Sequence, residues 1–196
     1  MHRNIKILLG ASILIHSGIN FLSPIFAIYV KDIGGTLLDA GVAIGIYAIL
    51  KGIFYFLFKN IKEDKISKKV MISGGYFVMF IDYFLYLFAS KPYHIYFIQG
   101  ILSLGETIIT PSWSAVIATS LVKGKERHIY SNFYGYRSLF EGTAAITGGL
   151  FAMNFGFDVV FTIMCVFALS SSVISYLLMK KNPQGKFLYE VYMPFK

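Results

Sequence analysis

The chain has 196 residues, 56% of them hydrophobic and only 14% charged, with a mean hydropathy of +0.64. Soluble domains carry about 25% charged residues, so this composition excludes an ordinary water-solvated domain and points to lipid as the solvent. A formal net charge of +8 raises nucleic acid as a partner, and the placement of the basic residues removes it.

A helix crosses the hydrocarbon of a bilayer with roughly 20 mainly apolar residues. Six such blocks follow one another, at about 5–30, 38–58, 70–89, 93–121, 129–153 and 157–179. They are too long for barrel strands and lack period-two alternation. The expectation is an all-α membrane protein of six transmembrane helices, forming a single domain over 1–196. The first block exceeds the roughly 7–15 apolar residues of a signal peptide. No small-x-small cleavage site follows it, so it is expected to remain as the first span.

Polar residues punctuate the spans in turn. The first carries Ser12, His16, Asn20 and Ser23, spaced four, four and three apart on one helical face. The second holds Lys51 and the third Asp82. The fourth carries Gln99, Ser103, Glu106 and Thr110, again on one face. The fifth holds Arg137 and Glu141, spaced to form a local ion pair. The sixth holds the single cysteine, Cys165. Most of the Tyr and Phe residues are read as facing lipid or the interface, and none is singled out.

The remaining basic residues follow the loops. Arg3 and Lys6 precede the first span. Lys59, Lys62, Lys65, Lys68 and Lys69 follow the second, Lys123, Lys125 and Arg127 the fourth, and Lys180, Lys181, Lys186 and Lys196 the sixth. Lys31 and Lys91 alone fall on the opposite side. This asymmetry is the positive-inside pattern. It predicts cytoplasmic termini and basic loops that face lipid headgroups rather than nucleic acid.

An internal echo links the first and fourth spans. Gly18 precedes Ser23-Pro24 as Gly105 precedes Thr110-Pro111, at a constant offset of 87 residues. Three spans intervene, so the units 1–91 and 92–181 would be inverted repeats, followed by a tail over 182–196. Inverted three-helix repeats occur in secondary transporters, where interrupted helices at equivalent places mark the binding site. The two polar stripes then predict a shared cavity lined by His16, Asn20, Gln99, Ser103, Glu106 and Thr110. The alternative is hydrogen bonding between helices without a cavity.

Charge at mid-membrane costs about 2.5–3.5 kcal/mol on insertion scales. Glu106, Arg137 and Glu141 are therefore candidates for coupling or for an ion pair. In the alternative reading, Arg137–Glu141, or Lys51 with an acidic partner, is a fixed pair that holds the bundle. Asp82 fits neither role at this stage. The four histidines are scattered, and no metal-site spacing, phosphate loop or nucleophile elbow is present. No metal, cofactor or catalytic residue is expected, and the chain is not read as an enzyme.

The loop 60–69 reads Asn-Ile-Lys-Glu-Asp-Lys-Ile-Ser-Lys-Lys. It resembles the cytoplasmic signature of the major facilitator superfamily, with Asp64, Lys65, Lys68 and Lys69 matching in character and Asn60 and Ser67 replacing glycines. Tyr96, Gln99 and Gly100 resemble the family's Arg-x-x-Gln-Gly segment, with Tyr96 in place of arginine. Ala144, Ala145, Gly148 and Gly149 resemble its antiporter signature, with Ala145 in place of proline. The resemblance implies one six-helix half of a transporter that moves a small solute by alternating access. Spans one and four would line the cavity, two and five would meet the other half, and three and six would lie outermost. Asp64, Lys65, Lys68 and Lys69 would form a cytoplasmic gating latch. The partners implied are the lipid bilayer of the cell membrane, a small-molecule substrate, and a second copy of the chain or a separate six-helix half. Gly142, Ala145, Gly148 and Gly149 are expected to allow close helix contact with that second half. The alternative is a non-transport membrane protein or transporter fragment acting as an assembly partner.

Overall fold

The computed structural model describes residues 3–60, 67–118, 121, 124 and 126–178. Among these there are helices and no strands. Helix α1 (Arg3–Leu22) runs into a short 3-10 turn (Ser23–Ile25) and then α2 (Phe26–Asp32). The remaining helices are α3 (Leu37–Phe58), α4 (Lys68–Tyr86), α5 (Pro92–Ala118), α6 (Glu126–Phe155) and α7 (Phe157–Leu178).

Local chemistry explains the breaks. Pro24 lacks an amide hydrogen, and the chain tightens to 3-10 geometry around it. Gly34 adopts a φ of 85° in the turn between α2 and α3, a region favoured by glycine. Thr36 and Asp39 then cap α3 reciprocally: the Asp39 amide donates to Thr36 Oγ1 at 3.2 Å, and the Thr36 amide donates to Asp39 Oδ2 at 2.7 Å. Gly156, at a φ of 82°, separates α6 from α7. The second proline behaves differently from the first. Pro111 sits inside a continuous α5, so the expectation of interrupted helices at both places holds only for Pro24.

Among the described residues, four segments are long and apolar enough to cross a bilayer: Lys6–Asp32, Leu37–Phe58, Pro92–Ala118 and Phe157–Leu177. The third and fifth expected spans correspond to α4 and α6, which are not among them. Lys68, Lys69 and Asp82 dilute the apolar character of α4, as Arg137, Glu141 and several polar residues dilute that of α6. Both helices nevertheless pack into the same bundle.

The packing has a definite order. α1 rests on α6 and α7, and α5 rests on α4 and α3, while α4 and α7 meet each other. Across the α4–α7 contact, Ser73 Oγ donates to the Ser172 carbonyl at 2.9 Å, and Ser172 Oγ returns a bond of 2.9 Å to the Ser73 carbonyl. Ser171 Oγ donates to the Ala11 carbonyl of α1 at 3.0 Å. Tyr29, Tyr86 and Phe161 cluster where α2, α4 and α7 converge, with centroids 4.8–5.7 Å apart. In contrast, α3 and α6 turn many large apolar side chains outward, including Ile49, Phe56 and Leu57 on one and Leu139, Ile146 and Met153 on the other.

Two glycine contacts set how closely helices approach. A Cβ on Gly105 would lie 2.9 Å from Met79 Cγ, at the crossing of α4 and α5. A Cβ on Gly148 would overlap the backbone of Phe21, with the carbonyl carbon only 2.8 Å away. Gly148 therefore serves contact between α6 and α1 within the chain. Of the small residues expected to meet a second half, Gly142 and Gly149 have open space where a Cβ would stand. Gly148→Val should lower stability by about 1–3 kcal/mol, the usual cost of overpacking. Gly142→Val should leave the thermal melting of the purified protein nearly unchanged.

Candidate functional site

A cavity of about 270 Å³ opens between α1, α3, α4, α5 and α6. Ile15, Ile19, Met79 and Ile109 supply apolar lining, and Tyr76, Trp113 and Tyr134 supply aromatic surface. His16, Lys51, Glu106, Thr110, Ser114 and Arg137 are the polar groups.

The charged groups form two clusters. On one wall, Lys51 of α3 pairs with Glu106 of α5. Tyr47, one turn before Lys51, donates its hydroxyl to Glu106 Oε2 at 2.5 Å. Lys51 Nζ in turn donates to the Tyr47 hydroxyl at 2.8 Å. The three side chains close a triangle that ties α3 to α5. A second tie between these helices runs from the Tyr96 hydroxyl to Asp39 Oδ1.

On the other wall, Arg137 Nε lies 2.9 Å from Glu141 Oε1 within α6. His16 of α1 sits against both: Arg137 Nη1 is 3.4 Å from His16 Nε2, and Glu141 Oε1 is 3.6 Å from His16 Nδ1. A guanidinium only donates. A bond from Arg137 therefore makes Nε2 the accepting nitrogen and leaves the ring proton on Nδ1, facing Glu141. Arg137 also lies over the Tyr134 ring, 5.2 Å from its centroid, much as Lys51 lies 5.0 Å from the Tyr47 centroid. Tyr47 and Tyr134 are separated by the same offset as the two proline motifs. Each wall thus presents a cation, a carboxylate and a tyrosine.

The residues singled out from the sequence separate into groups. His16, Glu106, Thr110 and Arg137 line the cavity, and Glu141 joins it through Arg137 and His16. Asn20 turns back on its own helix, donating to the His16 carbonyl at 2.9 Å. Gln99 and Ser103 are buried away from the cavity. Gln99 donates to the Tyr86 hydroxyl of α4 at 3.2 Å, and Ser103 to the Gly100 carbonyl at 2.7 Å. The face carrying the stripe on α5 is therefore divided between the cavity and α4. Hydroxyls that bond to their own helix need no aqueous surface.

In the expected gating motif, Asp64 and Lys65 lie outside the described residues. Lys68 is buried at the start of α4, and Lys69 lies over the Tyr176 ring of α7, 4.5 Å from its centroid. Nothing in the sequence pattern alone assigns a site role to Tyr47, Tyr76, Trp113 or Tyr134, and it marks Lys51 only as one member of a fixed pair. The available signal was the pair Tyr47 and Lys51, one turn apart around the lone basic residue of an otherwise apolar span.

Two expectations follow. Lys51 and Glu106 should show a coupling energy of about 0.5–3 kcal/mol in a double-mutant cycle of unfolding, read with Lys51→Met and Glu106→Gln. In a Cys165→Ser background, Thr110→Cys should react with a membrane-impermeant thiol reagent while Ser103→Cys resists it.

The sequence profile of the Major Facilitator Superfamily matches residues 8–188 of the chain. An uncharacterized MFS-type transporter of Methanocaldococcus jannaschii is 24% identical over 160 residues. That match covers 82% of this chain and 41% of the relative, so the chain spans less than half the length of the protein it resembles.

Proposed function

The chain belongs to the Major Facilitator Superfamily, and from that premise we propose that it is one six-span half of a transporter that moves a small solute by alternating access. The observation that carries the reading is the pair of charged clusters facing one cavity, Lys51–Glu106 with Tyr47 and Arg137–Glu141 with His16. Both lie on helices that pack at the cavity wall, and both include ionisable groups that hydrocarbon would penalise.

The packing order supports inverted repeats. The first helix of each expected unit packs on the other unit's second and third helices: α1 on α6 and α7, as α5 on α3 and α4. Spans one and four are thus each flanked by a second-type and a third-type helix. In this reading α4 and α6 also cross the membrane, their charges being held by protein rather than lipid.

The solute would enter between the two clusters. Groups of both signs suit a polar or charged small molecule, and Trp113, Tyr76 and Tyr134 would contact its less polar part. Alternating access would come from rocking of this unit against a second one, a further copy of the chain or a separate half. The outward apolar residues of α3 and α6 are available for lipid and for that second unit. The segment containing Asp64, Lys65, Lys68 and Lys69 would act as a latch at the cytoplasmic end. The protein would reside in the cell membrane with both termini in the cytoplasm.

The test is uptake and efflux in reconstituted vesicles against a panel of labelled amino acids, sugars, organic acids and organic cations. A solute carried by the wild type should be carried at least about tenfold more slowly by Glu106→Gln and by Arg137→Gln, a loss of roughly 1.4 kcal/mol or more. Equal rates in wild type and both variants would remove the two clusters from the transport path.

A further inference from the structure

Asp82 belongs to neither charged cluster and does not line the cavity. It is fully buried in α4, the helix that packs on α5 and α7. Neither carboxylate oxygen has a hydrogen-bond partner. The Leu102 backbone N–H of α5 approaches the carboxyl without ordinary hydrogen-bond geometry.

Among the described residues, the groups that act on Asp82 offer no compensating charge. The charged group that acts on Asp82 from α5 is Glu106, of the same sign and already engaged with Lys51. From α7 the ionisable neighbour is the buried thiol of Cys165. On α4 itself the neighbours are Tyr83 and Tyr86. The Tyr86 hydroxyl is bonded to Gln99, while the buried Tyr83 hydroxyl, like Asp82, has no partner. Close helix approach at Gly75 and Gly105 tightens the same α4–α5 crossing.

An ionised carboxylate buried without a hydrogen-bond partner or countercharge is far costlier than a neutral polar group in the same place. We propose that Asp82 is a proton-binding site: it carries a proton in this conformation, and that proton permits α4 to close on α5 and α7. The step is a proton transfer alone. A proton from water adds to one carboxylate oxygen as the helices pack, and it returns to water when they part and the carboxyl is hydrated. The site is distinct from the cavity pairs and does not require that the chain transport anything. In an assembly that changes conformation, such a group links helix packing to pH, because protonation favours the packed state.

The test uses infrared spectroscopy of the full chain in lipid nanodiscs at neutral pH, with aspartate labelled at the side-chain carboxyl carbon. The wild type should show the carbonyl stretch of a protonated aspartic acid, and Asp82→Asn should lose it. Finding only ionised aspartate bands in the wild type, or retention of the protonated band in Asp82→Asn, would overturn the proposal. If Asp82→Asn does not fold, the labelled wild type still decides by the presence or absence of the band. Where both proteins fold, the wild type should also lose melting temperature relative to Asp82→Asn as pH rises from mildly acidic to mildly alkaline. Parallel pH profiles would contradict the link between the proton and packing.

Discussion

A charge carried into hydrocarbon must meet an opposite charge, a hydrogen bond or water, and the arrangement of α1, α3, α5 and α6 follows from that constraint. Lys51 and Glu106 stand on different helices, so their pairing fixes α3 against α5. Arg137 and Glu141 stand on one helix, and His16 brings α1 against them. The charges remain half-buried at the cavity wall and keep contact with its polar interior. Helices that lack such groups at their centres, such as α7, rely on apolar packing and on serine bonds to neighbouring carbonyls.

The same constraint separates structure from function inside the bundle. A polar side chain satisfied by its own helix is free to face protein, as Ser103 and Asn20 do. The paired charged side chains, Lys51 with Glu106 and Arg137 with Glu141, stand instead at the cavity wall. Asp82 stands apart because it is fully buried and neither of its carboxylate oxygens has a hydrogen-bond partner.

Much of this was legible in the sequence, for identifiable reasons. Long apolar blocks gave the helices, because lipid demands length and apolarity together. Helical spacing placed His16, Glu106 and Thr110 on faces that meet at one cavity. It also placed Gln99 and Ser103 on such a face, because spacing shows which residues share a side but not which neighbour that side confronts. The Lys51–Glu106 pair depends on two helices meeting, which no local pattern encodes. Tyr47 stands one turn from Lys51 in the sequence, but its bond to Glu106 arises only from that meeting. Pro111 shows a similar limit: proline removes a donor, yet membrane helices tolerate it where neighbours compensate, so α5 stays continuous while the chain at Pro24 does not. Small size at Gly148 suits contact with any helix, and its actual partner, Phe21, again comes from tertiary packing.

The central claim is that this bundle forms one wall of a transport path completed by a second unit. The most direct measurement is the mass of the assembly extracted from its native membrane in polymer nanodiscs, without detergent, by mass photometry. The account predicts particles holding two copies of the chain, or one copy with a second membrane protein of comparable size. Particles holding a single copy and lipid alone, at every concentration tested, would contradict it.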